Sequence, residues 1–229
     1  MGQQQNDNYP TPLQLALAII RTIAAWRPQL GLPSPDVFIE PSCGEGAFIR
    51  AARESWPSSF IAGVDIVPSY ENKAVESGAN MFFAGDLAQN IAAIFAAVRR
   101  HPGTAVIAGN PPFSLAQPHI EMLMSHLLPG EWLAFLLRLS FMGSAERANT
   151  FWPSTGKQQR FLVPIAGRPS YVKFKMVERE VHTEDGDYTE RKRKKVSTTD
   201  NSEYGIYIFE KGYQGPCIRT DPLTWKAPR

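Results

Sequence analysis

The sequence predicts an α/β domain with a mostly parallel sheet and helices on both faces, and three observations carry that prediction. Short apolar runs recur along the first half of the chain, each ending in an acid or an amide and each followed by a helical pattern. The first of them passes through a Gly-x-Gly turn, Gly44-Glu45-Gly46, in the manner of a strand–turn–helix crossover. A later run, Glu131 to Leu137, is apolar enough to be a strand buried on both faces.

At 229 residues the chain is long for one domain and short for two, so residues 1–229 are expected to form a single domain carrying an insertion. The 24 Lys and Arg against 22 Asp and Glu leave a net charge of +2, too small to mark a nucleic-acid binder by bulk charge. Any basic surface must be local. Cys43 and Cys217 are far apart and the four histidines show no ligand spacing, so no structural zinc or other metal is expected. Leu13 to Trp26 is too short for a membrane span and is interrupted by Gln14, Arg21 and Thr22, and the first eight residues lack the features of an export signal. The expected location is the cytoplasm of a bacterial or phage-infected cell, as a monomer or homodimer with no membrane partner.

Taken in order, Thr11-Pro12-Leu13-Gln14 reads as a helix start, with Thr11 as N-cap, Pro12 at the first helical position and Gln14 closing a capping box; the helix runs to about Trp26. Asp36 to Glu40 is the first strand, and Glu40-Pro41-Ser42-Cys43-Gly44-Glu45-Gly46 turns into a helix ending near Ser55. An acid at this strand end repels a pyrophosphate but suits a cationic ligand bearing an ammonium and a sulfonium. That favours S-adenosylmethionine over a dinucleotide. Cys43 reads as a small filler. Phe60 to Asp65 is the second strand, its acid placed for ribose hydroxyls and Ile66 for packing on an adenine. A helix over Tyr70 to Ser77 leads to the third strand and its terminal Asp86-Leu87, then a helix from about Ala88 to Arg100 leads to the fourth, Thr104 to Ala108. Parallel strands bring all these ends to one edge, where ligands bind.

The fourth strand runs through Gly109 into Asn110-Pro111-Pro112-Phe113. Two prolines remove two N–H donors, fix φ and hold the residue before each in extended backbone. The turn is stiff. The Asn110 side-chain oxygen and the Pro111 carbonyl can accept both hydrogens of one planar NH2 group, while Phe113 offers a ring for stacking.

This tetrapeptide, with Thr11-Pro12, the Glu-Pro-x-x-Gly-x-Gly-x-Phe stretch and the ordered strand-end acids, resembles the class I S-adenosylmethionine-dependent amino methyltransferases, most of all the γ-type DNA adenine-N6 enzymes. The resemblance covers Thr11 to about Phe209. It implies a Rossmann-like seven-stranded sheet, six strands parallel and one antiparallel, with S-adenosylmethionine as cofactor. It also implies cofactor contacts from Thr11, Pro12, Glu40, Pro41, Ser42, Gly44, Gly46, Asp65, Ile66, Asp86, Leu87 and Asn110, with Asp86 accepting from the cofactor's adenine amino group. Asn110, Pro111, Pro112 and Phe113 would be catalytic. The implied partner is DNA, with a flipped adenine as target. The tetrapeptide equally fits RNA or protein-glutamine methyltransferases, and a non-catalytic scaffold is the reading from outside the enzymes. A long C-terminal recognition domain, common in γ-type enzymes, has no room after Phe209.

Past the catalytic turn, Ser114 to Leu128 reads as a helix containing Pro118, with His119 and His126 as surface histidines. Arg138, Ser140, Phe141 and the stretch to Trp152 follow the fifth strand beside the target pocket. Arg160 to Ile165 is the sixth strand, Gly167 to Tyr171 the turn after it, and Tyr171 either holds the target base or is a strand aromatic. From about 177 to 202 the chain is polar, with Asp185-Gly186 as the turn of a β-hairpin whose return arm carries Arg191, Lys192, Arg193, Lys194 and Lys195. That run is either a solvated face or an arm that grips phosphates. Glu203 to Phe209 is the antiparallel seventh strand, and the remainder wraps the surface.

Overall fold

The computed structural model describes residues 10–167, 169–181, 188–199 and 202–226. In chain order the elements are α1 (Leu13–Gln29), β1 (Val37–Glu40), α2 (Ala47–Ser55), β2 (Phe60–Asp65), α3 (Glu71–Glu76), β3 (Met81–Ala84), α4 (Leu87–Val98), β4 (Ala105–Gly109), α5 (Ala116–His126), β5 (Trp132–Arg138), α6 (Ala145–Asn149), β6 (Gln159–Pro164), β7 (Ser170–Val181), β8 (Tyr188–Thr199), β9 (Tyr204–Glu210) and β10 (Ile218–Arg219). The main sheet has the strand order β10-β6-β9-β5-β4-β1-β2-β3. Every pairing in it is parallel except the two that β9 makes, with β5 and with β6.

Strand alternation divides the core into two layers. Phe38, Val106, Trp132 and Ile206 face Ile19 of α1, Phe48 of α2 and Ala74 of α3. Ile39, Ile107, Leu133 and Tyr207 face the other way, toward Ile94 of α4 and Ile120 of α5. Each large apolar side chain so buried stabilises the fold by roughly 1.5–3 kcal/mol in transfer terms. Reversal of strand order occurs between β1 and β4, because the chain winds outward through β2 and β3 before returning to β4. A crevice opens at such a point.

The predicted sheet of seven strands is present with an eighth added. The segment after β9 supplies β10, two residues that pair parallel to β6 where a surface wrap was expected. The run is too short to carry a period-2 signal. β7 and β8 form a separate two-stranded antiparallel sheet in register from Ser170↔Thr199 to Val181↔Tyr188. The ribbon therefore starts earlier than the predicted 177, and Tyr171 is a strand residue opposite Thr198 and not part of a turn. The expected Asp185-Gly186 turn and Arg168 lie outside the described residues.

At the head of α1 the predicted capping box does not form. Pro12 itself is the N-cap, its carbonyl accepting from Leu15 N at 3.0 Å and Ala16 N at 3.1 Å, with no side-chain cap bond. The helix then passes Trp26 and takes in Pro28. His119, expected on the surface, is buried at 7 % exposure, because Pro118 falls in the first turn of α5 and a 3-10 turn over Phe113–Leu115 shifts the helix face. His126 is exposed and stacks on Phe95. Among the described residues no helix is long and apolar enough to cross a membrane.

Candidate active site

Gly109 joins the two motifs. A Cβ built there would lie 3.5 Å from both Glu40 Cγ and Pro41 Cδ, so the glycine before Asn110 brings the end of β4 into contact with the end of β1. A Cβ there would sit in ordinary van der Waals contact with both, so the two turns lie side by side.

The β1 end is a buried carboxylate in a backbone cradle. Glu40 is 2 % exposed, and its Oε2 accepts from Ile49 N in the first turn of α2 at 3.0 Å. Burial pushes this carboxyl well above its ordinary range; the Ile49 N–H opposes, the charge of Asp65 adds to the upward push, and the Phe48 N–H opposes again. Asp65 ties the next loop together, with Oδ2 accepting from Gly44 N at 2.8 Å and Oδ1 from Val67 N at 2.9 Å. Asp86 is the N-cap of α4, its Oδ1 accepting from Ala88 N at 2.7 Å. Each of these acids keeps lone pairs for a ligand.

The two glycines of the turn differ in role. Gly44, at φ +50°, has open space where a Cβ would go, as close approach by a ligand requires. Gly46, at φ +81°, has its Cβ position 2.6 Å from Ser77 Oγ and is packed against protein. Ile66 is 59 % exposed beside Asp65, an apolar side chain without cover. Leu87, by contrast, is buried in the layer with Ile94 and Val64, so its side chain serves the core. Pro41 is buried, and Ser42 Oγ donates to the Pro41 carbonyl at 2.8 Å. Thr11 and Pro12 are half-buried at the head of α1, the helix that packs on α2. Cys43 is buried, and burial, Glu40 and Asp65 all push its thiol up, which suits the filler role.

In the turn after β4, Asn110, Pro112 and Phe113 are half-buried and Pro111 is buried. The Phe113 ring packs against both core layers and lies 5.8 Å from the Tyr204 ring at 45°. Arg138, at the end of β5, sets its guanidinium carbon 4.8 Å from the Phe113 centroid. Tyr204 was not legible as a site residue because its neighbour in space comes from an antiparallel pairing more than sixty residues apart in sequence, Arg138↔Tyr204. His119 was missed too. It is desolvated, which lowers its pKa against the pull of the Asp86 charge, and its Nδ1 has no hydrogen-bond partner among the described residues.

Tyr171, Arg191, Lys192, Arg193, Lys194 and Lys195 stand on the β7–β8 ribbon, at Thr198, Glu178, Val177, Met176, Lys175 and Phe174 in its register. Among the described residues no cluster of His, Cys, Asp and Glu could hold a metal ion. A cavity of about 660 Å³ between Asp36, Arg53, Trp56 and His101 lies at the opposite edge of the sheet, at the starts of β1 and β2. It is remote from the strand-end acids, and Arg53 within it is saturated by Gly78 O, Pro57 O, Ser59 O and Asn80 Oδ1.

A carboxyl whose pKa is higher in the fold than in the unfolded chain makes stability fall as pH rises. The sign follows from the raised folded pKa: the contribution of Glu40 is complete below its ordinary value of 4.5 and is lost progressively above it. The Tm difference between the ligand-free wild type and Glu40→Gln, followed by calorimetry, is expected to grow in favour of the variant as pH increases from that value. A pH-independent difference would contradict the assignment.

No protein-family model matches the sequence, and no curated protein matches it. Solved structures do. A provisionally named RNA methyltransferase from Pyrococcus horikoshii superposes with a TM-score of 0.50 at 13 % identity, over 90 % of this chain and 88 % of that one. A provisionally named O-methyltransferase from Agrobacterium tumefaciens gives 0.52 at 12 % identity, over 93 % and 86 %. Likeness at such identity bears on the fold alone, and it agrees with the sheet order, in which one antiparallel strand sits between β5 and β6. The chain has the Rossmann-like fold of the class I S-adenosylmethionine-dependent methyltransferases.

Proposed function

We propose that the protein is an S-adenosylmethionine-dependent N-methyltransferase that methylates the N6 amine of an adenine in DNA. The observation that carries this is the contact at Gly109 between a buried carboxylate turn and Asn110-Pro111-Pro112-Phe113. The site residues fit the cofactor. Glu40, unfavourable as a lone buried anion, gains from a cation nearby; Gly44 leaves its backbone open; Ile66 offers an uncovered apolar surface beside the Asp65 carboxylate. Thr11, Pro12, Ser42 and Asp86 complete the set that would hold it. When bound, the cofactor supplies an activated methyl group.

The chain's own work is positioning. An adenine amine is a poor nucleophile because its lone pair is conjugated into the ring. Acceptance of its two N–H bonds by the Asn110 side-chain oxygen and the Pro111 carbonyl favours a tetrahedral nitrogen with an available lone pair. Phe113 supports the ring. The proton is lost after transfer, when the methylated nitrogen is strongly acidic, so no dedicated base is needed. A target in duplex DNA must first be flipped out of the stack.

The β7–β8 ribbon supports a polyanionic partner. Its β8 strand carries five consecutive basic residues, Arg191 to Lys195, and Lys175 and Lys194 stand directly opposite one another. A run of basic residues along one strand suits a phosphate backbone. Such contacts bind phosphates with little regard to sequence.

The test is transfer of labelled methyl from S-adenosylmethionine to unmethylated DNA, bulk RNA and a release-factor protein in parallel. Label recovered from DNA as N6-methyladenine is the expected result. Label only in RNA or only in protein would replace DNA by that target, and cofactor binding without transfer to any of the three would make the chain a scaffold.

A further inference from the structure

The β7–β8 ribbon has two unlike faces, and its register decides which residues share each. Successive residues of a strand belong to opposite faces. Along β7 the segment Val172-Lys173-Phe174-Lys175-Met176 alternates apolar and basic without a break. Such alternation belongs to a strand with one polar and one apolar face. Across the ribbon Lys173 stands opposite Val196, Lys175 opposite Lys194 and Val177 opposite Lys192. Lys173, Lys175, Lys192 and Lys194 therefore share one face with no acid among them. The first acid on that face is Glu190, opposite Arg179.

The other face is mixed. Phe174 stands opposite Lys195, Met176 opposite Arg193 and Glu178 opposite Arg191. Glu178 is thus directly across from Arg191 and diagonal to Arg193, the positions at which opposite charges favour one another. The pleat splits the basic run of β8: Lys192 and Lys194 belong to a block of lysines, while Arg191, Arg193 and Lys195 share their face with acids and apolar residues.

The root of the ribbon lies at the candidate site. β5 and β6 both pair antiparallel with β9, with Arg138 opposite Tyr204 and Pro164 opposite Gly205, so the end of β6 and the start of β9 come to the edge where β5 ends. β7 follows β6 and β8 precedes β9, and the Tyr204 ring lies 5.8 Å from that of Phe113. Measured along the strand from Ser170, the block begins at Lys173, roughly 10 Å out, and spans about 13 Å to the level of Lys192. That span matches about four nucleotide steps of a duplex strand.

We infer that the ribbon meets the DNA backbone with one face only, through Lys173, Lys175, Lys192 and Lys194, and that Arg191, Arg193 and Lys195 take no phosphate. The inference rests on the DNA reading above and narrows it: the ribbon holds a short row of phosphates beside the target. Membership of the basic run does not decide which residues hold them. Two lysines outside the run count for more than the three basic residues of the other face within it.

Three double variants with the same loss of charge test it: Lys192→Gln with Lys194→Gln, Lys173→Gln with Lys175→Gln, and Arg193→Gln with Lys195→Gln. Anisotropy of a fluorescent unmethylated DNA duplex is followed across a KCl series, in which each phosphate contact contributes about 0.9 to the slope of log affinity against log salt. Either lysine pair should lower the slope by about 2 and weaken binding about tenfold, and the third pair should leave the slope within about 0.5 of wild type. Lys192→Arg with Lys194→Arg keeps the charge and should keep the slope. N6-methyladenine formed by the wild type on the same duplex reports the DNA reading independently. Equal falls for all three pairs would mean that the ribbon acts by its overall charge, a fall confined to the Arg193 and Lys195 pair would put the phosphates on the other face, and no change in any pair would put them off the ribbon. Each of these overturns the inference, and N6-methyladenine formed all the same would leave the DNA reading standing. A wild type that neither binds nor methylates the duplex would remove both.

Discussion

Asn110→Ala is expected to lower methyl transfer by about 10²–10³-fold, the usual loss when one preorganised polar group at a reacting centre is removed. On the proposed mechanism the Asn110 side-chain oxygen accepts the second N–H of the amine beside the Pro111 carbonyl, and the fixed φ angles of Pro111 and Pro112 keep the turn that aims both stiff. Alanine leaves the amine planar and conjugated. On the proposed reading cofactor affinity should change far less, because Glu40, Asp65 and Asp86, which would hold most of the cofactor, lie at the ends of three other strands or in their turns. Single-turnover transfer with labelled cofactor, alongside equilibrium binding of the cofactor, separates the two. A variant that turns over within a fewfold of wild type would mean that the tetrapeptide is only a rigid turn and that the amine is held elsewhere.

The parts of this arrangement that are local in sequence are also the parts that the sequence discloses. The placement of Glu40, Asp65, Asp86 and Asn110 at or just after strand ends was legible because a parallel sheet converts one repeated strand–helix unit into one row of strand ends. The stiffness of the turn follows from its prolines alone. What depended on long-range pairing was hidden. Tyr204 reaches Phe113 only because β9 runs antiparallel between β5 and β6, and nothing in Glu203 to Phe209 says which strands it separates. β10 is two residues long, with no pattern to read. His119 carries a helix-surface position in its spacing, yet the 3-10 turn at Phe113–Leu115 changes the phase of α5 and buries it. Thr11 and Gln14 have the identities of a capping box, while the chain enters α1 through Pro12 in extended backbone and the box has no geometry to close. Local identity predicts a motif; only the path of the chain decides whether it forms.

Glu131→Ala is expected to destabilise the fold by a few kcal/mol, at about 1–3 kcal/mol for each amide left without its acceptor. Glu131 is 1 % exposed and ties three elements together at the edge of the sheet opposite the site. Its Oε1 accepts from Arg99 Nη1 at 2.5 Å and from Ala105 N at 2.9 Å; its Oε2 accepts from Arg99 Nη2 at 2.6 Å and from Leu128 N at 2.7 Å. Thus one carboxylate satisfies the guanidinium after α4, the first amide of β4 and the turn between α5 and β5. Alanine removes the carboxylate partner of the Arg99 guanidinium and leaves the buried Ala105 amide and the part-buried Leu128 amide without their acceptor. For a chain of this size the loss should appear as a fall in Tm on the order of 10 °C in calorimetry. Glutamine keeps an acceptor for one or two amides but not the charge that the guanidinium needs, so Glu131→Gln should fall between wild type and alanine. Because β4 begins at this carboxylate and ends at the turn that carries Asn110, the two substitutions also calibrate each other. The folded fraction of Glu131→Ala at low temperature should transfer methyl at the wild-type rate, whereas Asn110→Ala should be folded and slow. A Glu131→Ala protein with unchanged Tm would show that the network is dispensable and that β4 is anchored by its neighbours β1 and β5 alone.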